Sequence, residues 1–325
     1  MAGTGERSPG ARPKKARQRK AGQVNGAADQ GFGRRVAADG LAILATARAA
    51  LTDPKLTDAV AVHNLRRALK RWRALMRLLS CPVGGSADRM RTGARDLMQS
   101  LSVTRDAQAA LDALADLGKS DLPFPVTSRK TIEARLTGLR GEAEAATFTL
   151  ELRQRVTRYL DSAAQSLEHW PLSSIPFGAM ADELTGTYRR ARRLIPDNWR
   201  EAEADDLHEL RKRVVEYRHQ IELFEPLSPR LARAWEDEAQ RLRERLGANQ
   251  DLVVLESFTA PHRPLAPWRA KLAPLIAQRR EHHLKAAGKL AAKLFAEKPK
   301  AFRTRIGALW DARGKAFIRA DSDSR

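Results

Sequence analysis

Seven residues on one stretch of the chain have the makings of a phosphate grip: His63, Arg66, Arg67, Lys70, Arg71, Arg73 and Arg77. At ~100° per residue they fall, with Ala74, in one continuous helical arc. Leu65, Ala68, Leu69, Trp72, Leu75, Met76 and Leu79 fill the opposite side and must face a core. The arc holds no acidic residue, so it forgoes the attractions between residues three or four apart that steady ordinary exposed helices. Like charges at that spacing cost roughly 0.2–0.5 kcal/mol per pair. Arginine offers bidentate hydrogen bonds to phosphate oxygens, and lysine adds a compact charge. A row of such groups suits a linear polymer of phosphates and needs no base reading. Its affinity should fall with salt, as it does for nucleic acids.

The design recurs 145 residues later in diluted form. His208, Arg211, Lys212, Arg218 and His219 share a ridge over Leu210, Val214, Tyr217, Ile221 and Phe224, with Glu216 and Glu222 at or near it. Val62-His63-Asn64-Leu65-Arg66-Arg67 aligns with Leu207-His208-Glu209-Leu210-Arg211-Lys212. The same offset pairs Trp72 with Tyr217, Arg73 with Arg218, Leu101 with Leu246 and Asp106 with Asp251. Repeated matches at one spacing indicate an internal duplication. A further cluster supplies Arg189, Arg190 and Arg193, which a helix antiparallel to the second ridge could pool with it. Asp106 and Asp251 read as carboxylates that hold ridge arginines from behind; the plain alternative is a pair of surface helix carboxylates.

The elements that must position these residues are helices. The chain has 325 residues, 42% of them apolar, enough for about two structural units. Apolar residues recur at three- and four-residue spacing, which predicts helices near 34–51, 55–80, 86–117, 128–168, 178–195, 204–225, 229–259, 266–296 and 298–312. Gly138 and Gly141 are candidate kinks in the long fourth segment. The expected organisation is a disordered basic tail over 1–33, a first helical bundle over 34–170, a second over 171–312 and a polar tail over 313–325. An all-α protein of two similar four-helix bundles follows.

Composition narrows the function. Lys and Arg number 59 against 39 Asp and Glu, a formal net charge of +20, and such a surface attracts polyanions. The first twenty residues hold seven basic side chains and one acidic one, as a solubilising or anion-capturing arm would. Cys81 is the single cysteine, so an intramolecular disulfide is impossible and a thiolate zinc site disfavoured. No run approaches 18 apolar residues and no secretory h-region opens the chain, which predicts a cytoplasmic protein with no membrane partner.

The two histidine-led segments, His63-Asn64-Leu65-Arg66 and His208-Glu209-Leu210-Arg211, resemble the signature of the CHAD family, the conserved histidine α-helical domain. Arg105-Asp106 and Gln250-Asp251-Leu252 are similar to its second recurring element; Tyr188-Arg189-Arg190 and the region from Leu294-Phe295 to Trp310 also fit. The resemblance spans roughly residues 34–312. It implies two four-helix bundles related by a pseudo-two-fold axis, binding inorganic polyphosphate in a basic cavity between them, in the cytoplasm and on polyphosphate granules. Carried over by position, the phosphate ligands are His63, Arg66, Arg67, Lys70 and Arg73, then His208, Arg211, Lys212 and Arg218, helped by Arg189, Arg190 and Arg193. Val215 and Glu216 stand where the first copy has Lys70 and Arg71, so the second half should grip fewer phosphates.

Binding without catalysis, cofactor or metal is the expectation. The Glu-x-Glu-x-Lys pattern of triphosphate-processing domains is missing, since Glu142-Ala143-Glu144 lacks the lysine. Nucleic acid is the alternative partner, disfavoured because Trp72 and Tyr217 project inward and leave no stacking platform. A metal held by His63 with His208, or by His282 with His283, is the weaker alternative, without clustered carboxylate ligands. Oligomeric state is not legible.

Overall fold

The computed structural model describes the backbone at residues 14–101, 105–119 and 124–322 and, within these, the side chains at 29–142 and 148–313. Every regular element among them is helical. In chain order they are α1 (Lys14–Thr52), α2 (Asp58–Leu78), α3 (Ser80–Val83), α4 (Gly85–Ser100), α5 (Arg105–Leu117), α6 (Val126–Thr147), α7 (Leu150–His169), α8 (Phe177–Arg193), α9 (Ala204–Leu223), α10 (Pro229–Ser257), α11 (Arg269–Leu294) and α12 (Pro299–Ser322).

Local chemistry explains the boundaries that matter. Thr57 caps α2, its hydroxyl accepting from the Val60 N–H, and Asp58 in the first turn complements the helix dipole. Leu65, Leu69, Trp72, Leu75 and Met76 are then buried together. The segment read as one helix over 128–168 is two, and the break falls at Phe148-Thr149 rather than at Gly138 or Gly141. Thr149 starts α7 by accepting from the Leu152 N–H at 3.3 Å, and Phe148 is buried. The segment read as 86–117 ends its first helix at Ser100 and resumes at Arg105.

The expected tail over 1–33 needs correction where it is described. α1 begins at Lys14, and its middle is pinned to the body: Phe32 packs edge-on against Phe177 at 5.2 Å and beside Phe224 and Trp310. Asp29 accepts a hydrogen bond from the Phe177 N–H at 3.0 Å, capping α8, whose own N-cap residue is a proline. A Cβ on Gly33 would stand 2.0 Å from the Leu172 carbonyl, so only glycine permits this approach. Residues 1–13 lie outside the described residues. The polar tail over 313–325 is likewise helical as far as Ser322.

The principal core draws on both halves of the chain, with Trp72, Leu69 and Val156 in the same cluster as Tyr188, Tyr217 and Phe302. A second cluster joins Ala113, Leu114, Ile132 and Leu136 of α5 and α6 to Leu252, Leu255, Leu272 and Leu275 of α10 and α11. The break after Trp170 is therefore a change of helix within shared cores. Contacts between the halves are also reciprocal. Arg71 bridges Glu222 at 3.4 Å, and Arg77 bridges Glu216 at 3.3 Å. The offset of 145 carries Arg71 to Glu216 and Arg77 to Glu222, so the bridges are images with their charges exchanged. The same offset carries Phe32 to Phe177, and these two rings meet.

Candidate anion-binding site

The cationic ridge of α2 is not an outer face. Arg66, Lys70, Arg73 and Arg77 are half-buried against neighbouring helices, while His63 and Arg67 are exposed. Neighbours then sort the ridge into two kinds of cation.

One kind is neutralised. Arg71 and Arg77 are bound to Glu222 and Glu216. Arg218 bridges Glu236 at 3.2 Å and Glu222 at 3.3 Å. His219 is not on the ridge at all: it is buried, with Nδ1 lying 3.2 Å from Glu222 and 3.3 Å from Arg218. Burial lowers the His219 pKa against the pull of Glu222, so the ring favours its neutral form. Lys212 is tied to Glu209 at 3.1 Å.

The other kind converges with few counterions: Arg243 bridges Glu244 at 3.7 Å, while Lys70 and Arg211 make no ion pair within 4 Å among the described residues. Lys70 makes no hydrogen bond or ion pair with any described residue. Burial, with Arg211, Arg66, Arg105 and Arg243 around it, lowers its pKa to about 7. Arg211 is half-buried, its Nε sealed from solvent and unpartnered, and it lies against α10 where a Cβ on Gly247 would come within 3.3 Å of that nitrogen. Burial and the charges of Arg105 and Arg243, opposed by Asp251, bring the Arg211 pKa to about 10. His208 presents an unpartnered Nδ1, and burial with Lys212, Arg211 and Arg105 lowers its pKa. Four helices thus build the cluster: α2, α5, α9 and α10.

Arg66 stands at its edge with a second task. Its Nη1 donates to the carbonyls of Met98 and Leu101, at 2.9 and 2.8 Å, closing the end of α4. Arg211 is its image at the offset of 145, but α10 runs unbroken past Leu246, so no carbonyls are free to take that guanidinium. One position is spent on a helix end in the first half and left unpaired in the second.

Of the carboxylates expected behind the ridge, Asp251 is in the cluster. Burial raises its pKa against the pull of Arg211 and Arg105, and it makes no ion pair within 4 Å among the described residues. Asp106 is exposed in the first turn of α5, and its charge is felt at Arg66. Arg73 points toward Arg91, Arg95 and Glu216, with Met98 Sδ 3.9 Å from its Nη1. Arg190 donates to Thr187 Oγ1 at 2.9 Å and neighbours Arg77, Glu216 and Glu183. Arg189 and Arg193 are exposed; Arg193 lines a cleft with Glu201, Glu203 and Asp206. The α8 arginines therefore do not join the Lys70 cluster.

Arg105 and Arg243 are the members of the cluster that sequence reasoning missed. Arg105 was visible only as the partner of Asp106 in a motif. Arg243 has Met98 as its counterpart, so a comparison of repeats passes over it.

Of the histidines considered as metal ligands, His283 is engaged by a carboxylate. His283 is buried, its Nε2 lying 2.7 Å from Asp116 Oδ2, and Arg279 grips the same carboxylate through two bonds of 2.7 and 2.8 Å. Among the described residues, no group of three or more His, Cys, Asp or Glu could hold a metal ion. Nor is any helix among them long and apolar enough to cross a membrane.

No curated protein sequence matches the chain. Among solved structures, the crystal structure of the CHAD domain from the plant Ricinus communis is similar, with a TM-score of 0.54 at 15% identity, covering 85% of this chain and 92% of that one. The likeness is one of fold. The model of the CHAD domain matches residues 40–260, well over half the sequence and every helix that builds the cluster, and the chain belongs to that family.

Proposed function

We propose that this protein binds inorganic polyphosphate, without transforming it, at the cluster formed by Lys70, Arg105, His208, Arg211 and Arg243. CHAD domains occur in polyphosphate-related proteins, and the binding chemistry fits the residues here. One observation supports the reading above the rest: Arg211 and Lys70 are half-buried among other cations, and neither makes an ion pair within 4 Å among the described residues. Burying unpaired charge is costly, and a polyanion would offset that cost on arrival. Guanidinium groups would take phosphate oxygens by charge-assisted bonds, and the exposed His63 and Arg67 would extend the grip along α2. Association with polyphosphate granules in the cytoplasm follows from this reading.

Nucleic acid shares the electrostatics but gains no stacking surface, since Trp72 and Tyr217 are fully buried. Competition between long-chain polyphosphate and duplex DNA at physiological salt separates the two. Polyphosphate should displace DNA at equal phosphate concentration; DNA displacing polyphosphate would overturn the proposal.

A further inference from the structure

Lys70 differs from every other lysine whose side chain is described. The others, from Lys55 to Lys300, are exposed, whereas Lys70 is half-buried. Its Nζ has no hydrogen-bonding partner among the described residues, yet it is not among the polar atoms sealed from solvent. The groups that face it come from each element around it: Arg66 on its own helix, Arg105 on α5, Arg211 on α9 and Arg243 on α10. The nearby carboxylates, Asp106 and Asp251, act on Arg66 and Arg211 instead.

We propose that Lys70 is an acylation site, a nucleophilic amine whose ring of guanidinium groups recruits anionic acyl phosphates as donors. An amine is a nucleophile only when it has shed its proton, and cationic neighbours in a half-buried setting promote that loss. Half-burial and the four surrounding guanidinium groups lower the Lys70 pKa to about 7, so at neutral pH it yields more free amine than an exposed lysine does. The same arginines suit the donor's phosphate. The amine nitrogen attacks the carbonyl carbon and forms the C–N bond as the bond from that carbon to the phosphate oxygen breaks. The nitrogen's proton passes to the departing phosphate. An amide and hydrogen phosphate result, with no change of oxidation state. Acylation removes a positive charge for good from the middle of the cluster. That this would loosen polyphosphate rests on the function proposed above; the chemistry itself does not.

The test incubates the intact protein with acetyl phosphate and follows acetylation at each lysine by peptide mass spectrometry. At pH 7, Lys70 should react at least about tenfold faster than exposed Lys285. Its rate should level off above about pH 8 rather than go on rising with pH as an ordinary exposed amine's does. Arg211→Gln should slow Lys70 severalfold and leave Lys285 unchanged; if that variant does not fold, the pH profile of the unaltered protein decides alone. Lys70 reacting no faster than Lys285, or with the same rising profile, overturns the proposal. Long-chain polyphosphate should shield Lys70 selectively. Fast acylation without shielding would leave the acylation site standing and overturn the polyphosphate reading.

Discussion

Arg66 and Arg211 occupy equivalent positions and do different work, and substitution should separate them. Arg66→Gln removes two bonds to the end of α4 and should destabilise the fold by about 1–3 kcal/mol, read by denaturant unfolding. Arg211→Gln breaks no bond within the chain, so it should leave stability unchanged or improved while weakening polyphosphate binding about 10–100-fold. Lys70 makes a pH prediction whose sign can be worked out. Its folded pKa, about 7, lies below the ordinary 10.5, so between those values the unfolded chain holds more protons and stability rises with pH. A bound anion favours the charged amine, so binding takes up a proton and affinity should fall as pH rises from 7 toward 9. Lys70→Arg should flatten that profile, and Lys70→Met should raise the melting temperature at pH 6 while weakening binding; a flat profile for the unaltered protein would contradict this account. At this scale the sequence was partly legible. Helical projection found Lys70 and Arg211. It could not tell them from Arg71, Arg77 and Arg218, because the neutralising Glu222, Glu216 and Glu236 arrive through tertiary packing or through turns where charge alone assigns no partner.

Among the elements, α5 depends most on distant partners. It brings Arg105 to the cluster, yet it is held to α11 by Asp116, which takes both Arg279 and His283. Those contacts and burial act in opposite directions on Asp116, and the contacts prevail, holding its carboxyl well below the usual range. The stabilisation is present above the ordinary carboxylate pKa and is lost as pH falls below it. Asp116→Asn should cost about 2–4 kcal/mol at pH 7, with the penalty shrinking in acid, read by thermal unfolding across pH. The clasp was illegible because Asp116 and His283 stand 167 residues apart. Helix existence was legible almost throughout, from the three- and four-residue apolar spacing. The breaks after Ser100 and at Phe148-Thr149 were not, since neither has a proline and only a threonine cap marks the second.

For the whole molecule, sequence arithmetic gave the sign of the charge and the repeat, while the structure supplies their consequence. The halves share cores and exchange reciprocal bridges, so neither is expected to be an independent unit. The +20 net charge attracts polyanions everywhere, and only a concentrated site distinguishes a grip from a general attraction. The most direct test compares two variants that each replace two basic side chains with glutamine. Lys70→Gln/Arg211→Gln empties the cluster, whereas Arg189→Gln/Arg193→Gln removes two exposed charges from α8. Measured at one physiological salt concentration, polyphosphate affinity should drop about 100-fold or more in the first and less than about threefold in the second. Equal losses in the two variants would mean that net charge alone holds the polymer and that the cluster is not its site.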